Sequence, residues 1–408
     1  MTGATTPGSA QRKPRVLVLT HSLSEVDGVG VYGVSMLRFL ASRCAGIDVY
    51  IGRRHRGFAS EMPGEDVVIH PVLPMDHFPF LSLPKLALLL ISSLPMLVRA
   101  ARRADIVHSF SDYPMGFVAV LTGVLAGRPV VVSGHGTYSV TPSAMPIHQN
   151  LMNWMYRHAD RFLMGARFAL RQVKRVVNPG EAEVVPYGCV PKDYDRFAAR
   201  GLTPSVPEPY VLCVGEVKQR KGYETSLPAF LRAWKRCPAA HFVIVGRYSE
   251  QDPYYLGLRT QIEVAEAEQN VHFIGNVEEA HKVALMRGAQ VFMLTPRTSQ
   301  EGGFEAFGLV FLEAGAAGRP VVGVLDSGAE DAIEDGENGF LRDRADLDGL
   351  ADVLVTLFED EALADQMGEA GHAHAMQQTW EQAAKRVAEI YQDVLAERGL
   401  RVKKRGHS

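Results

Sequence analysis

The chain has 408 residues, 47% of them apolar, which is enough for two or three domains with large cores. Its formal net charge of −3 argues against a dedicated nucleic-acid-binding protein, whose surface is strongly basic. The four cysteines are far apart and form no C-x-x-C pair, as is typical of a reduced, cytoplasmic protein.

Residues 1–14 are polar and lack an apolar core, so we predict a flexible lead-in and not a secretory signal. From residue 15 to about residue 188, short apolar runs alternate with helical patterns. The strand candidates are RVLVLT, DVYIG, DIVHSF, PVVVSG, RFLMGA and AEVVPYG. Continuous apolar runs separated by helices predict a parallel sheet covered on both faces, and we place this first domain at 15–200.

The stretch GVGVYG begins at Gly28 and has the G-x-G-x-x-G spacing of a dinucleotide-binding turn. However, seven residues separate it from the first strand, and Arg53 follows the second strand where an acid would hold a ribose. We therefore discount the interpretation of this motif as an NAD-binding turn. We predict instead a glycine loop containing Gly28 and Gly30 that opens a helix, whose N-terminus can bind an anion. Glycines that only let the loop turn are the alternative.

The longest apolar stretch, Pro79 to Val98, has 13 uncharged residues between Lys85 and Arg99 and is interrupted by prolines. It falls short of the roughly 20 residues that span a bilayer, so we interpret it as a buried helix. The alternative is a helix at a membrane surface, because three arginines follow that could meet anionic headgroups: Arg99, Arg102 and Arg103.

The segment 190–209 is rich in proline and charge, and it marks a domain boundary. The strand and helix alternation then restarts with YVLCVG, HFVIVG, VHFIG, AQVFMLT and PVVGVL, which predicts a second doubly wound α/β domain over 206–378. A last helix covers about 379–400 and a basic tail 401–408, which we expect to be frayed. On pattern alone, that helix caps the second domain.

Residues 289–324 contain a strand, a long glycine-rich loop, a helix from about Leu309 and another strand. Glu305 lies in the loop and Glu313 in the first turns of the helix, with seven residues between them. The helix N-terminus between them suits a diphosphate, with a polyol at Glu305 and ribose hydroxyls at Glu313. The alternative for Glu305 is a solvated loop acid, and for Glu313 a carboxylate that the helix dipole stabilises.

This segment, EAFGLVFLEA followed by GRPVV, resembles the E-x7-E signature of retaining glycosyltransferases of family 4. That family has the GT-B fold, two Rossmann-like domains facing each other across a cleft. Further resemblances in chain order are VSGHGTY, VLCVGEVKQRKGYETSLPAF, FIGNVEEAHKVALMRGAQVFMLTP, SGAEDAIEDGENGFL and WEQAAKRVAEIYQDVL. The resemblance implies that the last helix crosses back to the first domain.

The resemblance implies roles for individual residues. Glu305 would bind donor-sugar hydroxyls, Glu313 the nucleotide ribose, and Lys221 the departing diphosphate, with His135 beside the sugar. A His135 that only forms hydrogen bonds within its loop is the alternative. The remaining donor-binding candidates are Gly28, Gly30, Gly215, Arg220, Phe307, Gly308 and Leu309.

Glu216 departs from the family pattern, which has an arginine there; Lys218, Arg220, Arg247 or Arg297 could supply the missing positive charge. Two D-x-D triplets, at 193–195 and 346–348, do not follow buried strands. We therefore expect no metal and no cofactor beyond the donor substrate.

The leading hypothesis is a metal-independent, retaining hexosyltransferase that uses a UDP- or GDP-sugar. Its acceptor, which is a small molecule, a glycan or a lipid-linked sugar, would contact residues 54–85 and 136–160. We expect the protein in the cytoplasm, with contact at the inner membrane face if the 79–98 stretch touches lipid. The alternatives are a nucleotide-sugar epimerase on the same architecture and a catalytically idle sugar-nucleotide-binding protein.

Overall fold

The computed structural model describes residues 12–24, 28–56, 66–74, 82–190, 202, 206–298 and 303–405. Most of the predicted boundary segment, at 191–201 and 203–205, lies outside the described residues, as do positions 1–11 of the lead-in and the D-x-D triplet at 193–195.

The first domain is built on a seven-stranded parallel sheet with the strand order β3-β2-β1-β4-β5-β6-β7. The strands are β1 Arg15–Leu19, β2 Gly46–Gly52, β3 Val67–Leu73, β4 Ile106–Ser109, β5 Val130–Gly134, β6 Arg161–Met164 and β7 Ala182–Val184. The helices are α1 Gly28–Leu40, α2 Leu83–Ala101, α3 Met115–Ala126, α4 Thr137–Val140, α5 Pro146–His158 and α6 Arg167–Val176. Strands β1, β4 and β5 are almost completely buried, as expected for a sheet covered on both faces.

The second domain repeats the pattern with a six-stranded parallel sheet in the order β10-β9-β8-β11-β12-β13. Its strands are β8 Tyr210–Val214, β9 His241–Val245, β10 Val271–Gly275, β11 Val291–Met293, β12 Val321–Val324 and β13 Gly339–Arg342. Its helices are α7 Tyr223–Trp234, α8 Pro253–Val264, α9 Glu279–Gly288, α10 Leu309–Ala316, α11 Leu347–Glu359 and α12 Glu361–Gln377. The predicted class, two doubly wound α/β domains, is confirmed.

The last helix, α13, spans Trp380–Arg405 and packs against the first domain. Its Tyr391 hydroxyl lies 2.6 Å from Nδ1 of the buried His108, and Arg398 pairs with Asp160. The interpretation of this helix as a cap on the second domain is therefore wrong. The helix also continues through positions 401–405, where we expected a frayed tail.

Helix α2 corrects two expectations about the apolar stretch. The prolines do not interrupt it, because Pro84 occupies the first turn, where no amide donor is needed, and Pro95 is accommodated inside the helix on its exposed side. The helix is also only partly buried. Leu86, Leu89 and Leu97 pack into the domain, whereas Leu88 and Ile91 are 57% and 78% exposed.

By length and hydropathy, α2 is the one helix among the described residues that could cross a membrane. Its buried face, however, is part of the first-domain core.

Candidate functional site

The two sheets meet at their carboxyl edges, which is where open α/β sheets bind ligands. Gly136 follows β5, and a Cβ atom there would lie 2.6 Å from the Cβ of Ala306 in the second domain. The Tyr187 ring lies edge-on to Phe307, with centroids 5.6 Å apart. The loop before α10, defined here as the donor loop (residues 303–308), is therefore in direct contact with the first domain.

Two cations converge on Glu305 in the donor loop. Lys221 Nζ lies 2.8 Å and Arg220 Nη1 3.0 Å from the same carboxylate oxygen. The side chains of Lys221 and Glu305 are 9% and 14% exposed. Burial alone would raise the pKa of Glu305. The neighbouring Lys221 and Arg220 have the larger, opposite effect, so the pKa lies below its usual value and the carboxylate is charged.

Local backbone geometry brings Lys221 to this position. Gly215 follows β8 with a φ of +153°, and a Cβ atom there would lie 2.9 Å from Cε of Lys221. Gly222 has a φ of +73°, and a Cβ atom there would lie 1.6 Å from the carbonyl oxygen of Thr295. Only glycine fits at position 222.

The N-terminus of α10 lies between the two predicted carboxylates. Gly308 precedes it with a left-handed φ of +74°, and the helix begins at Leu309. The first amides of an α-helix have no intrahelical acceptor and are available to an anion. Phe307 is 2% exposed, with its ring edge-on to Tyr187, so its side chain forms part of the interdomain contact.

Glu313, in the second turn of α10, is held by a lysine that the sequence reasoning had not singled out. Lys282 Nζ lies 3.0 Å from Glu313 and 2.9 Å from Glu279 on its own helix. Burial lowers the pKa of Lys282, but the two glutamates raise it to about 12. The only sequence signal was its position in the segment that resembles the base-flanking stretch of the family.

The negative charge of Glu216 is balanced by two neighbouring cations. It accepts hydrogen bonds from Arg247 at 2.7 Å and pairs with Lys218 at 3.0 Å. Burial raises the pKa of Glu216, but Lys218 and Arg247 lower it below the usual value. Four cations were proposed to replace the arginine of the family pattern. Of these, Arg220 contacts Glu305, whereas Arg297 pairs with Glu224.

His135 has a different setting from the one expected of a side chain beside the sugar. Its Nε2 donates to the Phe110 carbonyl at 2.7 Å, and its Nδ1 accepts from the Tyr187 hydroxyl at 2.6 Å. Its backbone amide donates to the buried Asp112 carboxylate. This geometry supports the alternative that His135 orders its own loop, the loop that carries Gly136 to the donor loop.

The glycines of the opening motif lie inside a helix and not in a loop before it. Helix α1 begins at Gly28, which is exposed; among the described residues, no atom beyond its chain neighbours lies within 4 Å of where its Cβ would be. Gly30 is buried, and a Cβ atom there would lie 2.6 Å from the backbone of Ser24. Gly30 therefore allows a close approach of two chain segments, whereas Gly28 is exposed at the first position of the helix.

The second D-x-D triplet has a structural explanation. Asp346 caps α11 by accepting from the Gly349 amide, and Asp348 pairs with Arg232. Within the described ranges, no group of three or more His, Cys, Asp or Glu residues could hold a metal ion.

Comparison with known proteins assigns both halves of the chain. The model for glycosyltransferase family 4 matches residues 26–192, and the model for glycosyl transferases group 1 matches residues 197–374. The chain belongs to glycosyltransferase family 4. It is a glycosyltransferase.

Curated relatives of this glycosyltransferase include two GDP-mannose-dependent mannosyltransferases. The Mycobacterium tuberculosis alpha-(1-6)-phosphatidylinositol monomannoside mannosyltransferase is 26% identical, over 92% of this chain and 97% of that protein. The Corynebacterium glutamicum enzyme, which acts on the monoacylated phosphatidylinositol monomannoside, is also 26% identical, over 71% of this chain and 77% of that protein.

Solved structures confirm the GT-B fold of the glycosyltransferase. Anabaena HepE in complex with UDP superimposes with a TM-score of 0.71 at 21% identity, covering 93% of this chain and all of that one. A glycosyltransferase from Rickettsia africae gives the same TM-score at 15% identity, covering 94% and 99%.

Proposed function

We propose that this glycosyltransferase transfers a hexosyl group from a nucleoside diphosphate sugar to an acceptor hydroxyl, with retention of configuration and without a metal ion. One observation carries the proposal. Glu305 precedes the N-terminus of α10 and Glu313 lies in its second turn, and Lys221 and Arg220 are already in contact with Glu305. GDP-mannose is the first donor to test, because two relatives are named as GDP-mannose-dependent.

The Lys221–Glu305 contact suggests how a donor would enter. A diphosphate near the α10 N-terminus competes with Glu305 for Lys221 and Arg220. Once those cations turn to the phosphates, the Glu305 carboxylate is free to accept hydrogen bonds from sugar hydroxyls. The negative charge that develops on the departing diphosphate is then met by a buried lysine, where electrostatic stabilisation is strongest.

Retention fits this arrangement better through a same-face reaction than through a double displacement. A double displacement needs two carboxylates about 5 Å apart across the anomeric carbon. In the described chain the Glu305 carboxylate forms ion pairs with two cations, Lys221 and Arg220. We therefore infer that the departing phosphate helps to deprotonate the acceptor, and that Lys221 and Arg220 supply the positive charge a metal would otherwise supply.

A lipid-linked acceptor at the inner membrane face is the acceptor class that α2 favours. The helix exposes Leu88 and Ile91 and is followed by exposed Arg102 and Arg103, a pattern typical of helices that lie on anionic lipid. The acceptors named for the mannosyltransferase relatives are phosphatidylinositol monomannosides.

Calorimetry with GDP and UDP, followed by turnover assays with GDP-mannose and UDP-glucose in the presence of EDTA, tests the proposal. We expect nucleotide binding, turnover with a lipid acceptor, a product with the anomeric configuration of the donor by NMR, and loss of turnover in Glu305→Gln. An epimerase would instead convert donor without acceptor. The absence of binding to both nucleotides at millimolar concentration would overturn the proposal.

A further inference from the structure

Helix α6 of the first domain is capped by a residue of the second domain. Its own N-cap residue, Ala166, has no side chain that can cap it. Instead, Asp331 accepts from the Phe168 amide at 2.9 Å, from the Arg167 amide at 3.0 Å and from the Arg167 guanidinium at 3.1 Å. The Asp331 side chain is only 6% exposed. A buried carboxylate from one domain therefore satisfies the orphan amides of a helix in the other.

The turn that ends in Asp331 also supports the donor loop. This turn, Gly328–Asp331, begins with Gly328, whose amide donates to the carbonyl of Glu305 at 3.2 Å. A Cβ atom at Gly328 would lie 2.6 Å from the backbone of Ala306 and Phe307, so the turn and the donor loop are in van der Waals contact. One short segment thus contacts Glu305 on one side and helix α6 on the other.

Two further contacts cross the same boundary. The Phe168 ring lies edge-on to Phe304 of the donor loop, with centroids 5.7 Å apart. Glu330 pairs with Arg171, one turn further along α6. The Arg171 side chain is 52% exposed, so we expect this pair to contribute less than Asp331.

We propose that Asp331 is a positioning residue that latches the closed arrangement of the two domains and thereby places Glu305. The proposal rests on the proposed function, since it assigns a step to the donor loop of that same site. In the closed state the hydrogen bonds to a charged carboxylate are strong. When the domains separate, water hydrogen-bonds to the carboxylate and to the two α6 amides, so the contact is reversible. A latch of this kind couples closure to the position of the donor loop, because the turn cannot leave α6 without moving against Glu305 and Phe307.

The experiment compares Asp331→Ala with a matched control, Asp160→Asn. Asp160 is 12% exposed, accepts from the Val130 amide at 2.9 Å and pairs with Arg398, but it does so away from the cleft. Three quantities are measured on the full chain: the radius of gyration by solution scattering without ligand, the Kd for GDP or UDP, and kcat with the donor found active. Asp331→Glu is the rescue variant.

We expect Asp331→Ala to have a larger radius of gyration, a nucleotide Kd within about twofold of the wild type, and a kcat lower by about tenfold. Asp331→Glu should recover part of both the compaction and the rate, and Asp160→Asn should change neither even if its Tm falls. A wild-type radius of gyration in Asp331→Ala, or an equal expansion in Asp160→Asn, would overturn the latch. The scattering result does not depend on turnover, so it distinguishes this failure from failure of the proposed function.

Discussion

The ammonium group of Lys221 lies 2.8 Å from the carboxylate of Glu305, and both side chains are almost completely buried. The two residues come from different strand ends of the second sheet, after β8 and after β11, which are neighbours in the strand order. Between these strands the chain reverses its direction of winding, which is the position where doubly wound sheets bind ligands.

We expect Lys221→Ala to lower kcat by at least about 100-fold, the usual cost of removing one donor that stabilises transition-state charge. The control is Lys218→Ala, because Lys218 also pairs with a glutamate, Glu216, but is 53% exposed. Steady-state rates with saturating donor measure both variants. Equal rates for the two variants would exclude a special role for Lys221.

Glu313 and Lys282 allow a test of the ribose-binding role. Glu313→Gln should weaken GDP or UDP binding by about tenfold, equivalent to about 1.4 kcal/mol, because an amide is a poorer acceptor for two hydroxyls than a carboxylate. Glu279→Gln is the control, since Glu279 contacts the same Lys282 from its own helix. Calorimetry measures both Kd values. A Glu279→Gln variant that loses as much affinity as Glu313→Gln would mean that Lys282, and not Glu313, carries the effect.

The repeated sheets could be predicted because their central strands are continuous apolar runs between helices. The two strands that sequence reasoning missed, β3 and β13, are both edge strands. An edge strand needs less apolar surface, and β3 carries His70 and Pro71 and leaves Val68 47% exposed. The crossover of α13 could not be derived from pattern, because Tyr391 finds its partner His108 only in the folded chain.

The predicted site residues fall into two groups. Glu305, Arg220 and Lys221 meet in the structure although Arg220 and Glu305 are 85 positions apart, and the resemblance to family 4 singled them out. The contacts of His135 and the cap from Asp331 depend on tertiary approach between loops far apart in sequence, so no local pattern contains them. Helix α1 begins earlier than expected, at Gly28, and the close approach of Ser24 to Gly30 is likewise a tertiary contact that the G-x-G-x-x-G spacing does not contain.

The buried Asp112 predicts one component of the pH dependence of stability. Burial raises the pKa of Asp112 to about 6 from an ordinary 3.8, despite opposing hydrogen bonds from Ser139 and the His135 amide. The folded protein then binds more protons than the unfolded chain between about pH 4 and pH 6, so this component lowers stability as pH rises through that window.

We expect the Asp112→Asn variant to lack this loss of stability, which is worth roughly 3 kcal/mol at most. The Tm of the variant minus the Tm of the wild type should therefore increase as pH rises from 4 to 7. Tm measured by calorimetry across this range checks it. If the wild-type and variant Tm curves run parallel, folding does not raise the pKa of Asp112 and the prediction fails.

His108 predicts a component of opposite sign. Burial lowers the pKa of His108 to about 3, with a smaller contribution from His135, so the folded protein keeps the ring neutral where the unfolded chain protonates it. Stability from this residue is complete above its unfolded pKa of 6.5 and is lost as pH falls toward 3. His108→Gln should therefore lose less Tm than wild type between pH 7 and pH 4, and a steeper acid loss in the variant would contradict this.

The exposed face of α2 leads to the last prediction, that this protein binds anionic vesicles through Leu88 and Ile91. These side chains are 57% and 78% exposed, and neighbouring arginines each add about 1 kcal/mol of attraction to an anionic surface. We expect sedimentation with phosphatidylglycerol vesicles but not with phosphatidylcholine vesicles, and at least about tenfold weaker binding in Leu88→Glu/Ile91→Glu. Val264→Glu is the matched control, because Val264 is 82% exposed on α8 of the second domain. Since the substituted side chains face away from the core, all variants should keep the wild-type Tm. Vesicle binding that survives the double substitution would place the membrane contact elsewhere. An equal loss of vesicle binding in Val264→Glu would show that added negative charge, and not the α2 surface, explains the effect.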